Sequence, residues 1–185
     1  MATADTVLRD IETRSKWEYL PIIGADKARF LEDLVRAKKP CQTVEVGLLI
    51  GYATVVIARG LIDGCSLTGL EISGELAARA ESNVAAAGLA AKVRVIQGDA
   101  RQSLDQVAGP VDLVFLDAQK TQYLSYLKKL EPKLSPGAVI VANGAGIYRR
   151  ELGTYLDYVR RSADYQSTSR VFGEDAMEIS IYKKQ

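Results

Sequence analysis

The sequence predicts an α/β fold, a doubly wound and mostly parallel sheet of seven strands that ends in an antiparallel hairpin. Short runs rich in β-branched residues alternate in regular order with longer segments of helical apolar periodicity, which is typical of a parallel sheet covered by helices. The last two strand-like runs have only a short turn between them, which indicates a hairpin. At 185 residues we expect one domain, 1–185, with an N-terminal helical segment over 1–40 and the sheet core over 41–185.

Five strands are expected before the hairpin. They are residues 42–47, 66–71, 92–97, 111–117 and 138–143. The fourth run, VDLVFLD, is the most apolar, as expected for a strand that is buried on both faces. The hairpin strands are expected at 167–172 and 177–183, separated by Gly173-Glu174-Asp175.

Helices are expected in the intervals between the strands. The first apolar stripe, Phe30, Leu31, Leu34 and Val35, belongs to a helix that should end near Pro40, because proline disfavours helix in the residue before it. The further helices are expected at 52–61, 76–87 with Gly88 as the cap, from 100 onward, at 123–134 and around 152–159. Ser135-Pro136-Gly137 is expected as a turn, and Ala145 to Tyr148 as a short connection between the fifth strand and the next helix.

Composition limits the classes of partner. The chain has 24 basic and 23 acidic residues, so no charge pattern for nucleic acid or an anionic membrane is present, and a small molecule or a protein is the expected partner. No segment approaches the ~18 consecutive apolar residues of a membrane span. The N-terminus is too acidic and polar for a signal peptide. Cys41 and Cys65 are expected as buried free thiols in a reducing compartment, which favours a cytoplasmic location.

The absence of histidine limits the chemistry. With no histidine anywhere in the sequence, Ser-His-Asp and Cys-His nucleophile systems, histidine-containing zinc sites and imidazole bases are excluded. Any proton transfer must use Asp, Glu, Lys, Tyr or Cys.

The strand ends are the candidate binding positions, because ligands of open parallel sheets bind outside the carboxyl ends of the strands. These positions are Gly47, Glu71, Asp99, Asp117 and Asn143. Glu71 is placed to accept hydrogen bonds from both hydroxyls of a ribose, although it also suits a solvated surface carboxylate. Asp99 has an alternative as the first residue of a capping box with Gln102. A nucleoside-containing cofactor follows, and both NAD and S-adenosylmethionine fit.

The loop after the first strand helps to separate these two cofactors. A dinucleotide fingerprint needs G-x-G-x-x-G, so that backbone amides can approach a pyrophosphate. Here the loop is Gly47-Leu48-Leu49-Ile50-Gly51, with three bulky side chains between the glycines. Close approach to a pyrophosphate is disfavoured, and a cofactor without phosphate is favoured.

The strand ends also carry a family resemblance. TVEVGLLIGYAT, TGLEIS, VIQGDA, VFLDAQKTQY and SPGAVIVANG resemble cation-dependent O-methyltransferases related to the catechol and caffeoyl-coenzyme A enzymes, over roughly residues 22–145. The most specific part is FLDAQKTQY, in which an Asp-x-x-Lys is followed by a Tyr three residues later. By this resemblance, the residues at the methionine end of S-adenosylmethionine are Glu45, Gly47, Gly51 and Tyr52. Glu71 lies at the ribose, Asp99 and Ala100 at the adenine, and Ile72 and Asp117 also contact the cofactor.

The resemblance implies in-line methyl transfer to a catechol-type oxygen. A divalent cation, usually magnesium, binds the substrate oxygens, and a lysine that matches Lys120 removes the proton; an ordinary helix-surface lysine is the alternative. Asp117 matches the first metal ligand. The family's next two ligands, Asp and Asn, are replaced by Asn143 and Gly144. Because magnesium prefers carboxylate oxygens, we expect weak cation binding or none.

The first hypothesis is therefore an S-adenosylmethionine-dependent O-methyltransferase for a small phenolic or catechol-like acceptor, with a degenerate metal site. A catalytically degenerate cofactor-binding or regulatory protein is the second hypothesis, and an NAD- or nucleotide-binding protein is the third. The resemblance also suggests a homodimer. Four of the nine tyrosines, Tyr123, Tyr126, Tyr155 and Tyr158, are expected to pack in the core because they fall at helical spacing, and an aromatic wall of the pocket is the alternative.

Overall fold

The computed structural model describes residues 3–184, which form a seven-stranded sheet with helices on both faces. The strands are β1 (Gln42–Val46), β2 (Ser66–Glu71), β3 (Val93–Gln97), β4 (Val111–Leu116), β5 (Leu134–Asn143), β6 (Tyr165–Phe172) and β7 (Asp175–Tyr182). The helices are α1 (Ala4–Glu18), α2 (Ala25–Lys38), α3 (Tyr52–Gly60), α4 (Gly74–Ala86), α5 (Ala100–Ser103), α6 (Tyr123–Leu130) and α7 (Gly153–Arg161).

The sheet order is β3-β2-β1-β4-β5-β7-β6. Strands β1 to β5 pair in parallel, whereas β7 is antiparallel to both β5 and β6. The predicted fold class, with its closing hairpin, is therefore confirmed. The strand order reverses between β1 and β4, and this is where a doubly wound sheet opens a crevice for ligands.

Strand β4 shows how the sheet divides the core. Leu113 and Phe115 pack towards α1 to α4, while Val114 and Leu116 pack towards α5 to α7, and all four are fully buried. This alternation follows from the two-residue period of a strand, and it explains the continuous apolar run in the sequence. Burial of both faces fixes the carboxyl end of β4, and with it the residue that follows, Asp117.

The segment around β5 differs from the prediction. Ser135-Pro136-Gly137 lies inside β5 instead of forming a separate turn. The pairing with β4 shifts register between Val111 and Leu113, and Gly137 has a φ of +82°. The turn-forming residues therefore produce an irregularity within the strand. The connection from β5 to α7 is also longer than predicted, since turns extend over residues 144–152 before α7 begins.

The prediction of two free thiols is wrong, because Cys41 and Cys65 form a disulfide. These residues precede β1 and β2, which pair in parallel with Gln42 opposite Ser66, and the backbone amide of Ser66 donates to the carbonyl of Cys41. Two strands that start side by side place the preceding residues opposite each other. The argument for a reducing compartment loses its support from free thiols. Within residues 3–184, no helix is both long and apolar enough to cross a membrane.

The packing role expected for the tyrosines agrees with the structure in most cases. Tyr123 and Tyr155 are fully buried, and their rings meet edge to face at 5.9 Å. Tyr126 is also buried, while Tyr158 is partly buried against the same core. Tyr123 has a second role, because its hydroxyl group reaches the candidate site.

Candidate active site

A cavity of about 740 Å³ opens at the carboxyl ends of β1, β2, β4 and β5. Its volume lies in the range typical of small-molecule sites. The predicted site residues that line it are Glu45, Gly47, Tyr52, Glu71, Ile72, Asp99, Ala100, Asp117, Lys120 and Asn143. Gly51 and Gly144 are not among the lining residues, but each shapes a turn beside the cavity. The structure thus brings the residues predicted from separate strand ends to one crevice.

The glycines of the loop after β1 are required by its geometry. Gly47 has a φ of +90°, and a Cβ there would lie 2.4 Å from the carbonyl oxygen of Asp117. Gly51 has a φ of +83°, and a Cβ there would lie 3.1 Å from Ala80. Leu49 adopts a φ of +52°, a left-handed conformation that costs roughly 1–2 kcal/mol for a residue with a Cβ. Leu49 stands where the G-x-G-x-x-G fingerprint has its second glycine, and it adopts a backbone conformation that is usual for glycine.

Two of the three bulky side chains of this loop are buried, whereas Leu49 is half-buried and lines the cavity. Leu48 is buried, and a Cβ at Gly69 would lie only 2.5 Å from its Cδ2 atom. Ile50 is fully buried in the cluster between the sheet and α1 to α3. Because Leu48 and Ile50 turn inward, the backbone amides of the loop remain available for a polar partner.

That partner is Glu71 at the end of β2. Its Oε2 atom accepts hydrogen bonds from the amides of Leu48 at 3.0 Å and Leu49 at 2.9 Å, and its Oε1 atom accepts one from the amide of Ser73 at 3.0 Å. Glu71 is only 7% exposed, so the alternative of a solvated surface carboxylate is wrong. The loop amides that would hold a pyrophosphate in a dinucleotide site are already bonded to an anion. The fixed carboxylate retains acceptor capacity towards the cavity.

Glu45 is a buried carboxyl group without a partner. It lies in β1, is fully buried and lines the cavity, and neither of its oxygens has a hydrogen-bond partner within residues 3–184. Burial raises the pKa of Glu45 well above its usual range; the nearby hydroxyl of Thr54 offsets part of this, while the charges of Asp117 and Glu71 add to it. An unsatisfied carboxyl that lines a cavity indicates a ligand with a cationic or hydrogen-bond-donating group.

Tyr52 begins α3 beside the cavity. Its hydroxyl donates a hydrogen bond to the carboxylate of Glu12 in α1, so this side chain ties the N-terminal helix to the loop after β1. Burial raises the pKa of Tyr52, and the Glu12 carboxylate contributes to the shift. Its hydroxyl is therefore already used, and its ring is what it presents to the cavity.

Asp99 is the N-cap of α5. Its carboxylate accepts a hydrogen bond from the amide of Arg101 at 2.9 Å and forms an ion pair with the Arg101 guanidinium, and these bonds lower the pKa of Asp99. A capping box with Gln102 was the alternative role given for Asp99, but the side-chain bond goes to Arg101 and not to Gln102. Ala100 is buried nearby, whereas Ile72 is 67% exposed on the same cavity wall. An exposed isoleucine there provides an apolar surface for a planar ligand.

Lys120 lies four residues beyond the end of β4, in a short turn before α6. Its Nζ atom donates hydrogen bonds to Oδ1 of Asp117 and to the hydroxyl of Tyr123, each at 2.8 Å. The Tyr123 hydroxyl in turn donates to the carbonyl oxygen of Asn143 at 3.2 Å. The Lys120 side chain is 16% exposed. The alternative of an ordinary helix-surface lysine is therefore wrong.

Asn143 connects Asp117 to a second lysine. Its amide nitrogen donates to Oδ1 of Asp117 at 2.9 Å, and its Oδ1 atom accepts from Nζ of Lys27, in α2, at 2.8 Å. Lys27 also forms an ion pair with Asp175 at the start of β7. Asp175 accepts three further bonds, from the amides of residues 146 and 147, each at 3.1 Å, and from the amide of Ala176 at 2.7 Å. The hairpin, α2 and the loop after β5 are thus joined at the cavity wall.

These residues do not fit a divalent cation. Within the described chain, no group of three or more His, Cys, Asp or Glu side chains is placed to hold a metal ion. Gly144 has a φ of +88°, which strains any residue with a Cβ, and a Cβ there would lie 2.9 Å from the Tyr148 ring and 3.1 Å from Cε of Lys120, so a third ligand at this position requires both side chains to shift. Oδ1 of Asp117 accepts bonds from the Lys120 ammonium and the Asn143 amide, and Oδ1 of Asn143 accepts a bond from the Lys27 ammonium.

Three polar residues of this site are absent from the predicted set. Tyr123 was expected only to pack, although its place three residues after Lys120 is the signal that pointed to the site. Asp175 was expected only as a hairpin turn residue. Lys27 lies in an amphipathic helix with no motif around it, and only the tertiary structure shows that it reaches the cavity.

Comparison with known proteins agrees with this geometry. The family model described as O-methyltransferase matches residues 4–147. Catechol O-methyltransferase B of Danio rerio is 31% identical over 178 residues, which is 89% of this chain and 67% of that protein. Caffeoyl-CoA O-methyltransferase 2 of Petunia hybrida is 30% identical over 139 residues, which is 72% of this chain and 57% of that protein. The chain thus spans 57% to 67% of the length of these two relatives.

A solved structure gives the same result at the level of the fold. The O-methyltransferase from Bacillus cereus in complex with SAH superposes with a TM-score of 0.87 at 25% identity, over 96% of this chain and 90% of that one. The match of the family model extends over the N-terminal helices and the first five strands, which carry the whole cavity except for Asp175 and Tyr148. The chain belongs to the O-methyltransferase family.

Proposed function

We propose that this protein is an S-adenosylmethionine-dependent methyltransferase that methylates an oxygen of a small phenolic or catechol-like acceptor without a divalent cation. One observation carries the proposal: a single cavity holds Glu45 and Glu71 over β1 and β2, and Lys120 with Asp117 over β4. Carboxylates suited to an ammonium and a ribose thus share a site with a lysine–carboxylate pair. The relatives named for catechol and caffeoyl-CoA methylation support this acceptor class.

The cofactor would be held by the chain's own carboxylates and glycines. Glu45 would accept the α-ammonium group of the methionine end, beside the turn made by Gly47 and Gly51. Glu71 would accept the ribose hydroxyls with the lone pairs that its three amide bonds leave free. The adenine would lie against the remaining predicted residues, Ile72, Asp99 and Ala100. The ring of Tyr52 would cover the methionine end, since its hydroxyl is bonded to Glu12.

The acceptor would bind over β4 and β5. When bound, S-adenosylmethionine supplies a methyl group on a sulfonium, so that a new O–C bond forms while the C–S bond breaks and its electron pair goes to sulfur. The proton of the acceptor hydroxyl goes to the pair formed by Lys120 and Asp117, which acts as one unit because the two groups share a hydrogen bond. Tyr123 holds the lysine in place from the other side.

The wider assignment is also a proposal. One sheet carries both halves of the core, which supports a single domain. The net charge of +1 supports a partner other than nucleic acid or a membrane. A homodimer is proposed on the family resemblance. A cytoplasmic location is also proposed, although disulfides are rare in that compartment and Cys41 and Cys65 form one. Titration of blocked and free thiols in fresh cell extract tests this location.

Calorimetry with S-adenosylmethionine and its demethylated product tests the proposal most directly. We expect both to bind without magnesium, and we expect turnover on a panel of catechols and phenols in the presence of EDTA. If neither compound binds, the proposal is wrong. A non-catalytic cofactor-binding protein is the second candidate, favoured by Asn143 and Gly144 in place of metal ligands, and binding without turnover on any acceptor would support it. NAD is the negative control.

Glu45 gives the binding a defined pH dependence. Its raised pKa means that the free protein carries the carboxyl protonated to a higher pH than an exposed glutamate would, whereas an ammonium ligand favours the ionised form. Affinity for the demethylated product should therefore increase as the pH rises through the raised pKa of Glu45. Calorimetry across this range should show the increase in the wild type and not in Glu45→Gln. Glu75→Gln, at an exposed position in α4, is the matched control. A pH dependence that persists in Glu45→Gln contradicts the assignment.

A further inference from the structure

A chain of hydrogen bonds fills the region where the family resemblance places a cation. It runs from Lys120 to Asp117, from Asp117 to Asn143, and from Asn143 to Lys27, with each distance between 2.8 and 2.9 Å. Lys27 ends the chain in its ion pair with Asp175. Two ammonium groups therefore stand among the oxygens that the resemblance assigns to metal binding.

The position of the Lys27 ammonium is the important point. Its side chain is 11% exposed, and its Nζ atom has two oxygen neighbours, Oδ1 of Asn143 and Oδ2 of Asp175. Taking an ammonium group out of water costs several kcal/mol unless its protons are bonded and its charge is paired. Within the described residues Nζ donates to these two acceptors, which leaves its third N–H for a group in the cavity that it lines.

The neighbouring position, Gly144, disfavours a metal ligand through its backbone φ of +88° and its packing. The end of Lys120 and the ring of Tyr148 occupy the space in which a side chain at residue 144 would lie. Nζ of Lys120 also lies 5.5 Å from the centroid of the Tyr148 ring, within the range of a cation–π contact. Lys120 is thus held by packing as well as by charge.

Resting on the proposed function, we propose that Lys27 is the built-in cation of the acceptor site. Its free N–H bonds the acceptor oxygen and stabilises the negative charge that develops there as the proton leaves. A fixed ammonium on a largely buried side chain needs no reorganisation to do this. Lys27 therefore excludes a divalent cation and replaces one of its functions. The other function, orientation of the acceptor, falls to the bonds that fix Lys27 between Asn143 and Asp175.

Manganese binding tests the inference without any acceptor. The electron paramagnetic resonance signal of free Mn²⁺ should be unchanged by the wild-type protein at millimolar protein and metal concentrations. Stoichiometric loss of the signal would overturn the inference. Lys27→Met keeps the aliphatic stem but ends one atom short of Nζ, and so it leaves the two oxygens to a cation. We expect this variant to gain at least about tenfold in Mn²⁺ affinity, because a fixed positive charge is removed.

The control variant lies in the same helix. Arg29→Met removes one exposed positive charge from α2 outside the cavity, and its Mn²⁺ affinity should equal that of the wild type. Lys27→Arg keeps the charge and should continue to exclude Mn²⁺. If Lys27→Met gains no affinity while Arg29→Met behaves as the wild type, the inference is wrong. If Lys27→Met does not fold because Asp175 is left unpaired, the wild type and Lys27→Arg decide the question.

Kinetics supply a second measurement. With an acceptor that is turned over, EDTA should not change the wild-type rate, and loss of activity in EDTA would overturn the inference. Lys27→Met should lower kcat about 10²- to 10³-fold with little change in KM for S-adenosylmethionine. Failure of the proposed function is distinguishable: a protein that does not bind the cofactor or its product contradicts that function, whereas the manganese measurements still decide whether Lys27 excludes a cation.

Discussion

Lys120→Met is expected to lower kcat for methyl transfer by about 10²- to 10⁴-fold, the usual contribution of a positioned acid or base. Lys120 is hydrogen-bonded to both Asp117 and Tyr123. The variant removes the lysine of the Lys120–Asp117 pair, which is proposed to receive the proton of the acceptor. The affinity for the demethylated cofactor should change little, because the proposed cofactor contacts lie over β1 and β2. Rapid-quench turnover and calorimetry on the same preparation measure both quantities.

Two further variants make this result specific. Lys129→Met removes a lysine of α6 that pairs with Asp105 at the surface, and it should keep wild-type kinetics. Lys120→Arg keeps a positive charge next to Asp117 but cannot release its proton, so it should remain impaired. If Lys120→Arg restores full activity, Lys120 acts only through its charge, and its role in proton transfer is wrong.

Glu71→Ala is expected to weaken cofactor binding by about 2–4 kcal/mol, since hydrogen bonds to a charged group are lost. This corresponds to roughly 30- to 700-fold in affinity. The structure adds a second reason for a large effect, because the same carboxylate holds the amides of Leu48 and Leu49 and so fixes the loop after β1. Calorimetry with the demethylated product measures the change.

The loss of cofactor affinity that comes from a disordered loop can be separated from the loss that comes from the missing contact between Glu71 and the ribose. Glu71→Gln keeps the volume but brings an amide group that cannot accept all three backbone bonds. Urea unfolding of both variants gives the loss of stability from the loop, and the remaining loss of affinity reports on the ribose contact. Glu81→Ala, exposed on α4, is the control. If Glu71→Ala binds as tightly as the wild type, the ribose assignment is wrong.

Much of the fold could be predicted because the strands are apolar runs whose ends are marked by polar residues. Glu71 and Asp117 follow such runs, and a parallel sheet places the carboxyl ends of neighbouring strands at one edge. The disulfide could not be predicted from spacing alone, because the register of β1 against β2 decides whether Cys41 meets Cys65. The register shift in β5 depends similarly on its pairing with β4.

The part of the site that sequence reasoning missed is non-local. Lys27 meets Asn143 across 116 positions of the chain and Asp175 across 148. Each of the three residues has an ordinary local explanation, as a helix lysine, a strand-end amide and a turn aspartate. Only the docking of α2 and β7 on the same edge of β5 shows that they form one site.

The packing around Gly144 has a consequence for protein engineering. Asn143→Asp with Gly144→Asn restores the family's ligand types, but the new asparagine meets the Tyr148 ring and the end of Lys120 within about 3 Å. Lys27 would also remain on the same oxygen of residue 143. Conversion to a metalloenzyme therefore needs changes at residues 27, 143, 144 and 148 together, and a stepwise route passes through intermediates with an overpacked side chain or an unpaired buried charge. Directed evolution by single substitutions should therefore rarely convert the cation-free site into a metal-binding site.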